Sequence, residues 1–199
     1  MNNVVRFLVA ASVLLSWAGC SRPPASEVLK TAQDAEEYTR RTLDSLQALA
    51  VVDSTRAALQ PAMHFKDVIA GYTTLVDDYA DAPEAEVALF RRAGIRNNYT
   101  KEHDLAVRDY ALYARRYPDN EKTPLVMFLV GYIYNNELHQ IDSAAAAYRR
   151  FLERFPDNEM APSAQFELST LGKSPDELLP PAPPPEQKAS RKPVAKKST

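Results

Sequence analysis

The stretch Tyr110–Asn120, YALYARRYPDN, returns as Tyr148–Asn158, YRRFLERFPDN, 38 residues further along the chain (148 − 110). A fainter copy lies one period upstream, where Tyr72 and Tyr79 precede Tyr110 and Tyr117 by the same 38 residues. A fixed period of about 20 to 50 residues is the signature of a solenoid, in which one supersecondary unit stacks on the next. The period therefore predicts a repeat architecture.

Each copy of this stretch is predicted to form the second helix of a helical hairpin. Residues three and four apart share a face of a helix, and in both copies that face carries one small residue followed by two aromatic residues. These residues are Ala106, Tyr110 and Tyr113 in one copy and Ala144, Tyr148 and Phe151 in the other. We interpret the aromatic residues as packing residues, because their period is the period of the repeat.

Polar residues and prolines mark where these second helices begin and end. Asp104 and Asp142 are predicted N-caps, since a short carboxylate side chain accepts hydrogen bonds from the first backbone N–H groups of a helix. Pro118 and Pro156 end the helices, because proline lacks the backbone donor and disfavours helical conformation in the residue before it. The Asp-Asn pair that follows each proline is predicted to turn the chain.

The first helix of each hairpin is predicted to lie between a proline and a pair of asparagines. These helices start near Pro83, Pro124 and Pro162, which suit the beginning of a helix. Asn97-Asn98 and Asn135-Asn136 are predicted to end them in the left-handed C-cap conformation. The asparagine pairs are 38 residues apart, whereas Gly94 and Gly131 are 37 apart (131 − 94). The difference predicts one inserted residue in or after the later helix.

The two ends of the repeat region follow the same helical pattern. Residues 27–60 come after a predicted N-cap at Ser26 and form either one long helix or two helices with a break near residues 49–53. The stripe of this segment consists of Val28, Leu29, Ala32, Ala35, Tyr38, Thr39, Thr42, Leu43 and Leu46. Ala161–Leu171 repeats the first-helix pattern without a second helix, as expected for a terminal cap that Gly172 closes.

The first twenty residues predict a cleaved signal peptide. Arg6 precedes an apolar run of about 15 residues, shorter than the ~20 that a helix needs to span a bilayer. The run ends in Ala18-Gly19-Cys20, which contains the chain's single cysteine and resembles the lipobox of bacterial lipoproteins. The resemblance implies that residues 1–19 are removed, that Cys20 is acylated, and that Ser21 directs the anchor to the outer membrane. An ordinary secretory signal with a chance cysteine is the alternative.

A Pro-rich and basic tail ends the chain. Pro180–Pro185 begin it, and the last fourteen residues carry five basic residues against Glu186, a local charge of +4. The basic residues are Lys188, Arg191, Lys192, Lys196 and Lys197. Such a composition does not bury a core, so residues 175–199 are predicted to be extended and disordered. The tail either remains in solution or contacts anionic lipid or cell-wall polymer.

The repeat pattern resembles the tetratricopeptide repeat in its long-period form. The features that carry the resemblance are a glycine-containing helix, an Asp-started helix with small and aromatic residues on one face, and a Tyr/Phe-Pro-Asp-Asn end. The resemblance covers Asp67–Gly172. It implies an all-α fold, a solenoid of helical hairpins wound as a right-handed superhelix, with about three repeats plus a capping helix.

Together with the lipobox-like cysteine, the chain is similar to outer-membrane lipoproteins of the BamD type and, in its repeats, to the coordinator of the Tol–Pal system. BamD-like proteins carry more repeats than this chain. Tetratricopeptide domains that clamp carboxylates carry Lys, Arg and Asn at set groove positions. The first helices here offer Phe90, Phe128, Tyr132 and Phe166. A chaperone C-terminal tail is therefore not the expected ligand.

No motif predicts an active site, a metal site or a cofactor. The net charge of −2 gives no global field for nucleic acid, and the chain has neither a glycine-rich phosphate loop nor a G-x-S-x-G elbow. Paired acids such as Glu36-Glu37 and Asp77-Asp78 are predicted to be solvated. The same interpretation applies to His64, His103 and His139, and to Arg91, Arg92, Arg96, Arg115, Arg116, Arg149 and Arg150. We therefore predict that the protein is not an enzyme and binds no cofactor.

The helices between the twinned stretches are the better candidates for binding. Their aromatic residues are read either as core or as the lining of a concave face. If they line that face, an apolar helix or an extended segment is the natural ligand. The candidate partner-binding residues are Phe90, Arg91, Asn97, Asn98, Phe128, Tyr132, Asn135 and Phe166.

These patterns predict a lipid-anchored scaffold of the cell outer membrane that faces the periplasm. It binds one or more protein partners in the envelope and no nucleic acid, and outer-membrane protein assembly is the expected setting. The alternative is a cell-wall-associated envelope coordinator whose tail contacts peptidoglycan, and an enzyme is a third possibility. The predicted divisions are a signal peptide at 1–19, a tether at 20–26, a repeat domain at 27–174 and a tail at 175–199.

Overall fold

A computed structural model describes residues 22–50 and 61–173, with the side chains of residues 46–50 and 61–64 left out of the description. Within these residues the chain forms seven α-helices and no strand. The helices are α1 (Ala25–Ala50), α2 (Pro61–Asp78), α3 (Glu84–Asn98), α4 (His103–Arg116), α5 (Thr123–Asn136), α6 (Ile141–Arg154) and α7 (Ala161–Thr170). None of them is both long and apolar enough to cross a membrane.

The helices pack in chain order, as expected for a solenoid of helical hairpins. Each helix contacts the next one along the chain, and α1 also contacts α3. The pairs α1–α2, α3–α4 and α5–α6 are three hairpins, and α7 follows as a single helix. The predicted all-α hairpin solenoid is thus confirmed. The predicted signal peptide, Cys20 and the tail at 175–199 lie outside the described residues and stay predictions.

The aromatic residues of the second helices form the seam between hairpins, as predicted. Tyr72, Tyr113, Tyr148 and Phe151 are fully buried, and Tyr110 is nearly so. Phe90 of the first helix α3 packs edge-on against Tyr113, with ring centroids 5.9 Å apart. One period later Phe128 packs edge-on against Phe151 at 6.0 Å. Each second helix therefore buries its aromatic face against the preceding first helix.

The period is uniform, and the predicted insertion is wrong. The helices α4 and α6 begin at residues 103 and 141 and end at 116 and 154, while α5 and α7 begin at 123 and 161. All three differences are 38. Gly131 is therefore equivalent to Ala93, which is buried, and Gly94 is equivalent to Tyr132. The two glycines that indicated an insertion occupy different positions of the repeat.

The two glycines also have different surroundings. A Cβ atom on Gly131 would lie 2.7 Å from Cε1 of Tyr148, closer than such atoms approach in folded proteins. A Cβ atom on Gly94 would meet nothing nearer than the Tyr110 hydroxyl at 3.8 Å. Gly131 is thus required for the close packing of α5 on α6, whereas Gly94 leaves open space at the protein surface.

The predicted helix ends are right in position and wrong in mechanism. α3 and α5 end at Asn98 and Asn136, but the left-handed residues come three positions later, at Lys101 (φ 57°) and His139 (φ 52°). In α3 the backbone N–H groups of Tyr99 and Thr100 both donate to the Ile95 carbonyl. The chain closes these helices by backbone hydrogen bonds, without an asparagine in the left-handed conformation.

The aspartates predicted as N-caps lie one position inside the first turn. α4 begins at His103 after Glu102, and α6 begins at Ile141 after Gln140, with no capping side-chain hydrogen bond in either case. Asp104 and Asp142 therefore contribute by their negative charge near the positive end of the helix dipole. The repeated asparagines act as turn residues, since the Asn120 and Asn158 side chains accept the N–H groups of Lys122 (2.9 Å) and Met160 (3.0 Å).

The N-terminal segment is more ordered than a tether. α1 begins at Ala25, so Ser26 lies in its first turn and is not the predicted N-cap. Ahead of α1, the Arg22 guanidinium lies 2.8 Å from the Asp78 carboxylate and 4.2 Å above the Tyr79 ring. The Tyr79 hydroxyl donates to the Pro23 carbonyl at 2.6 Å. Residues 22–24 are thus held against the C-terminal end of α2.

The long N-terminal segment is a single helix as far as Ala50, and residues 51–60, where the break was predicted, lie outside the description. The inward face of α1 carries Ala32, Glu36, Thr39 and Leu43, which are buried. Tyr38, which was assigned to this stripe, is exposed. At the other end of the solenoid, Gly172 follows α7 with a φ of 73°, as predicted for a residue that closes the cap.

The close contact at Gly131 predicts a position-specific effect of a methyl group. Gly131→Ala places Cβ against the Tyr148 ring and should lower the free energy of unfolding by about 1–3 kcal/mol, the usual cost of overpacking. Gly94→Ala, the control, should be neutral or stabilising by roughly 0.5–1 kcal/mol, because alanine favours the helix. Urea unfolding of both variants measures the difference. Equal stabilities would contradict the uniform 38-residue alignment.

Candidate interaction groove

A groove of about 420 Å³ lies between the first helices of the hairpins. We call it the first-helix groove. Its walls are α1, α3 and the residue that precedes α5. It is lined by Glu36, Arg40, Glu86, Val87, Phe90, Arg91, Gly94, Ile95, Asn98, Tyr99 and Lys122. The lining mixes charged groups with an aromatic floor.

A buried carboxylate lies on the α1 side of the groove. Glu36 Oε2 accepts the Tyr72 hydroxyl at 2.6 Å and the Arg91 guanidinium at 3.0 Å. Arg40 lies 3.8 Å from the other oxygen of Glu36. Burial raises the pKa of Tyr72, and the hydrogen bond to Glu36 raises it further, so this phenol stays a donor at physiological pH. Glu36 was predicted to be solvated, and that prediction is wrong because this residue of the pair faces inward from α1.

A second pair of the same kind lies on the α5 side. The Tyr113 hydroxyl donates to Glu86 Oε1, and Lys122 Nζ lies 3.3 Å from the same oxygen. Burial raises the pKa of Tyr113, and its hydrogen bond to Glu86 adds to the effect. Phe90 lies between the two pairs, with Lys122 Nζ 6.0 Å from its ring centre. Each carboxylate is thus held by a tyrosine from behind and by a cation at the groove.

The arginines of α3 do not all serve the groove. Arg92 makes a two-pronged bond to Asp109 of α4, through Nε (2.9 Å) and Nη2 (2.7 Å), and also donates to Thr73 of α2 at 3.1 Å. Arg96 donates to the same carboxylate at 2.6 Å. Arg92 and Asp109 are buried. This buried ionic cluster joins three helices, so the prediction that Arg92 and Arg96 are solvated is wrong.

The remaining arginines follow the prediction more closely. Arg115, Arg116, Arg149 and Arg150 are exposed on the second helices. Arg116 donates to the Val76 carbonyl at 3.1 Å, a contact with the preceding hairpin. The acid pair Asp77-Asp78 is exposed as well. These charges lie on the second helices, away from the lining of the first-helix groove.

Three of the eight predicted site residues meet in the groove: Phe90, Arg91 and Asn98. Asn97, next to Asn98, instead faces α4, with its carbonyl oxygen 3.0 Å from His103 Nδ1 and its amide donating to Asn98. Phe128 is half-buried and packs on Tyr148 with ring centroids 5.6 Å apart. The structure thus divides the set between the groove and the hairpin seams.

The last three predicted residues lie further along the solenoid. The Asn135 amide donates to Glu167 at 3.3 Å and joins α5 to α7. Tyr132 and Phe166 are exposed. By the 38-residue period Tyr132 is equivalent to Gly94, and Phe166 lies two periods after Phe90. Both therefore occupy groove-side positions of α5 and α7, beyond the cavity itself.

Sequence reasoning missed Glu36, Arg40, Glu86 and Lys122, although all four line the groove. The pairs Glu36–Tyr72 and Glu86–Lys122 both join residues 36 positions apart, and such contacts leave no local pattern in the chain. Only the alternation of acids and bases on neighbouring first helices could have indicated them.

The histidines differ from one another. His103, predicted to be solvated, is largely buried, with Nε2 lying 3.5 Å from a Glu137 oxygen. His139 is exposed as predicted, and the side chain of His64 lies outside the description. In the described ranges, no group of three or more His, Cys, Asp or Glu side chains is placed to hold a metal ion.

Comparison with known proteins agrees with the repeat geometry. The family model of the tetratricopeptide repeat matches residues 125–158. This segment runs from the first turn of α5 through α6 to the Asn that starts the next turn, and includes the second twinned stretch. A comparison with curated protein sequences gives no significant match. The chain thus carries a tetratricopeptide repeat, and solenoids of such repeats generally bind protein partners along an extended surface.

The two equivalent tyrosines Tyr72 and Tyr148 give a matched test of the groove pairs. Tyr72→Phe removes the hydroxyl that satisfies buried Glu36 and should lower the free energy of unfolding by about 1.5–3 kcal/mol. The Tyr148 hydroxyl is buried with no hydrogen-bond partner among the described residues. Tyr148→Phe should therefore leave stability unchanged or raise it. Urea unfolding of both variants decides, and an equal loss in both would contradict a specific role for the Glu36 pair.

Proposed function

We propose that this protein is a non-catalytic, lipid-anchored scaffold that holds a protein partner in the bacterial periplasm, within outer-membrane protein assembly. The observation that carries the binding role is the first-helix groove in a chain with a tetratricopeptide repeat. Its lining offers both ion-pairing groups and the aromatic ring of Phe90. A protein segment can use all of these at once.

The proposed anchor is supported by the fixed course of the chain next to it. Cys20 is two residues ahead of Arg22, which is held by Asp78 and Tyr79 at the end of α2. Two extended residues reach about 7 Å. A lipid on Cys20 would thus hold the turn between α2 and α3 close to the membrane surface, and the groove would have a restricted orientation.

Blocking the groove tests the binding role. Gly94→Trp adds a large side chain where Cβ meets open space, so the helix should still form while the groove is filled. After mild solubilisation of membranes, the wild type should co-purify with a barrel-assembly complex and Gly94→Trp should not. Arg115→Trp on the exposed side of α4 is the control and should retain the complex. Recovery with Gly94→Trp, or with peptidoglycan in place of the complex, would contradict the proposal.

Removing the cysteine tests the anchor by itself. Cys20→Ala leaves no thiol to acylate, because Cys20 is the chain's one cysteine. The variant should move from the membrane fraction to the soluble periplasmic fraction, since one apolar run upstream of residue 20 is the only other hydrophobic segment that could hold it. Fractionation followed by immunodetection measures the shift. A Cys20→Ala protein that stays in the membrane fraction would overturn the lipid anchor.

A further inference from the structure

The first-helix groove presents cations to a partner and keeps its carboxylates behind them. The side chain of Arg40 is 55% exposed while that of Glu36, its partner, is 9% exposed. On the opposite side Lys122 is 38% exposed and Glu86 is 18% exposed. Each carboxylate already accepts a tyrosine hydroxyl as well as a cation. The charge that an incoming segment meets is therefore positive.

The cations also retain hydrogen-bonding capacity. A guanidinium has five N–H donors and an ammonium group has three. Arg91 donates to Glu36 through one nitrogen, Arg40 contacts Glu36 at the long distance of 3.8 Å, and Lys122 contacts Glu86 at 3.3 Å. Donors thus remain for a further carboxylate, and charge-assisted hydrogen bonds of this kind are the strong ones.

Neighbouring acids confine the positive surface to the groove. Asp34, Glu37 and Asp44 line a second cavity of about 560 Å³ on α1, which shares Glu36, Arg40 and Arg91 with the groove. Glu37 is paired with Arg41. An acidic group would be repelled if it lay over this part of α1. It is favoured only between α1 and α5, above Phe90.

The same side of the solenoid becomes apolar towards its C-terminal end. Leu125 and Tyr132 of α5 are exposed, and Phe166 of α7 is 63% exposed. By the repeat period these residues occupy the positions of Val87, Gly94 and Phe90, which line the groove in α3. Large exposed apolar side chains that share one face mark an interaction surface. We call Leu125, Tyr132 and Phe166 the apolar strip.

We propose that the partner segment is an acidic–apolar peptide, whose carboxylates bind Arg40, Arg91 and Lys122 while its apolar side chains cover the apolar strip. This inference rests on the proposed function, since it names the chemistry of the segment that the scaffold holds. A simple anion would use the cations and leave the strip uncovered. A basic or purely apolar segment would use only part of the surface.

The dimensions suit a short segment. Packed helices lie about 8–10 Å apart, so a path from α3 across α5 to α7 measures roughly 20 Å. An extended chain covers this distance with about six residues. Two adjacent glutamates followed, after a short spacer, by leucine and phenylalanine place both kinds of group on one such segment.

Binding of defined peptides to the lipidated full chain in nanodiscs tests the proposal. Fluorescence anisotropy compares a peptide that carries two glutamates, leucine and phenylalanine with one in which glutamine replaces both glutamates and one in which lysine does. The acidic peptide should bind about tenfold more tightly than the glutamine peptide at low salt, and the difference should shrink as salt screens the charges. A fourth peptide, with serine in place of leucine and phenylalanine, should also bind weakly.

Protein variants assign the two halves of the surface. Lys122→Ala should weaken the acidic peptide roughly fivefold and leave the glutamine peptide unchanged. Phe166→Ala should weaken both peptides to a similar extent, because it removes apolar contact only. Both side chains are exposed enough for the fold to persist, which circular dichroism checks. Arg115→Ala, on the exposed side of α4, is the control and should bind like the wild type.

The outcomes separate this inference from the proposed function. Preference for the lysine peptide, no binding of the acidic peptide, or affinities that Lys122→Ala and Phe166→Ala leave unchanged would overturn the acidic–apolar assignment. If the envelope partner is still lost with Gly94→Trp in that case, the scaffold role stands with a ligand of other chemistry. If the partner is retained with Gly94→Trp, the groove itself is not the binding surface.

Discussion

The burial of one aromatic row on every second helix is the constraint from which the rest of the structure follows. Tyr148 lies so close to α5 that only glycine fits at position 131, and Phe151 is covered by Phe128. Because each row must be covered by first helices, hairpins stack at a constant period. The seam also directs tyrosine hydroxyls towards the first helices, where Tyr72 meets Glu36 and Tyr113 meets Glu86. The chemistry of the groove is thus a product of the packing.

Buried charge adds specificity to this otherwise repetitive core. Arg92 and Asp109 form their two-pronged bond at positions where the next repeat has Val130 and Ala147. Breaking such a pair from one side leaves an uncompensated buried charge, which typically costs about 3–5 kcal/mol. The cluster therefore fixes which hairpin packs where, because its partners on α2, α3 and α4 exist once in the chain. The groove lies next to it and inherits a rigid wall.

How far the sequence leads depends on the range of the interaction. The twinned stretches predicted the hairpins and the buried aromatic seam, because helical spacing and proline stops are local. The glycine pair at 94 and 131 misled, since a glycine is equally compatible with a tight contact and with open space. The groove needed the fold: Phe90 and Arg91 could be nominated from their helix, but Lys122 approaches Glu86 only after α5 stacks on α3 and α4. The burial of Glu36 likewise depends on which face of α1 turns inward.

The central claim is that the first-helix side of the solenoid, and not the second-helix side, holds the partner. Site-specific photocrosslinking in cells tests it most directly. A photoreactive phenylalanine analogue replaces Gly94 in the groove or Arg115 on α4, both of which accept a side chain without disturbing the core. The account predicts one defined envelope protein crosslinked from position 94 and none from position 115. Crosslinking of that protein from position 115, or equally from both positions, would contradict it.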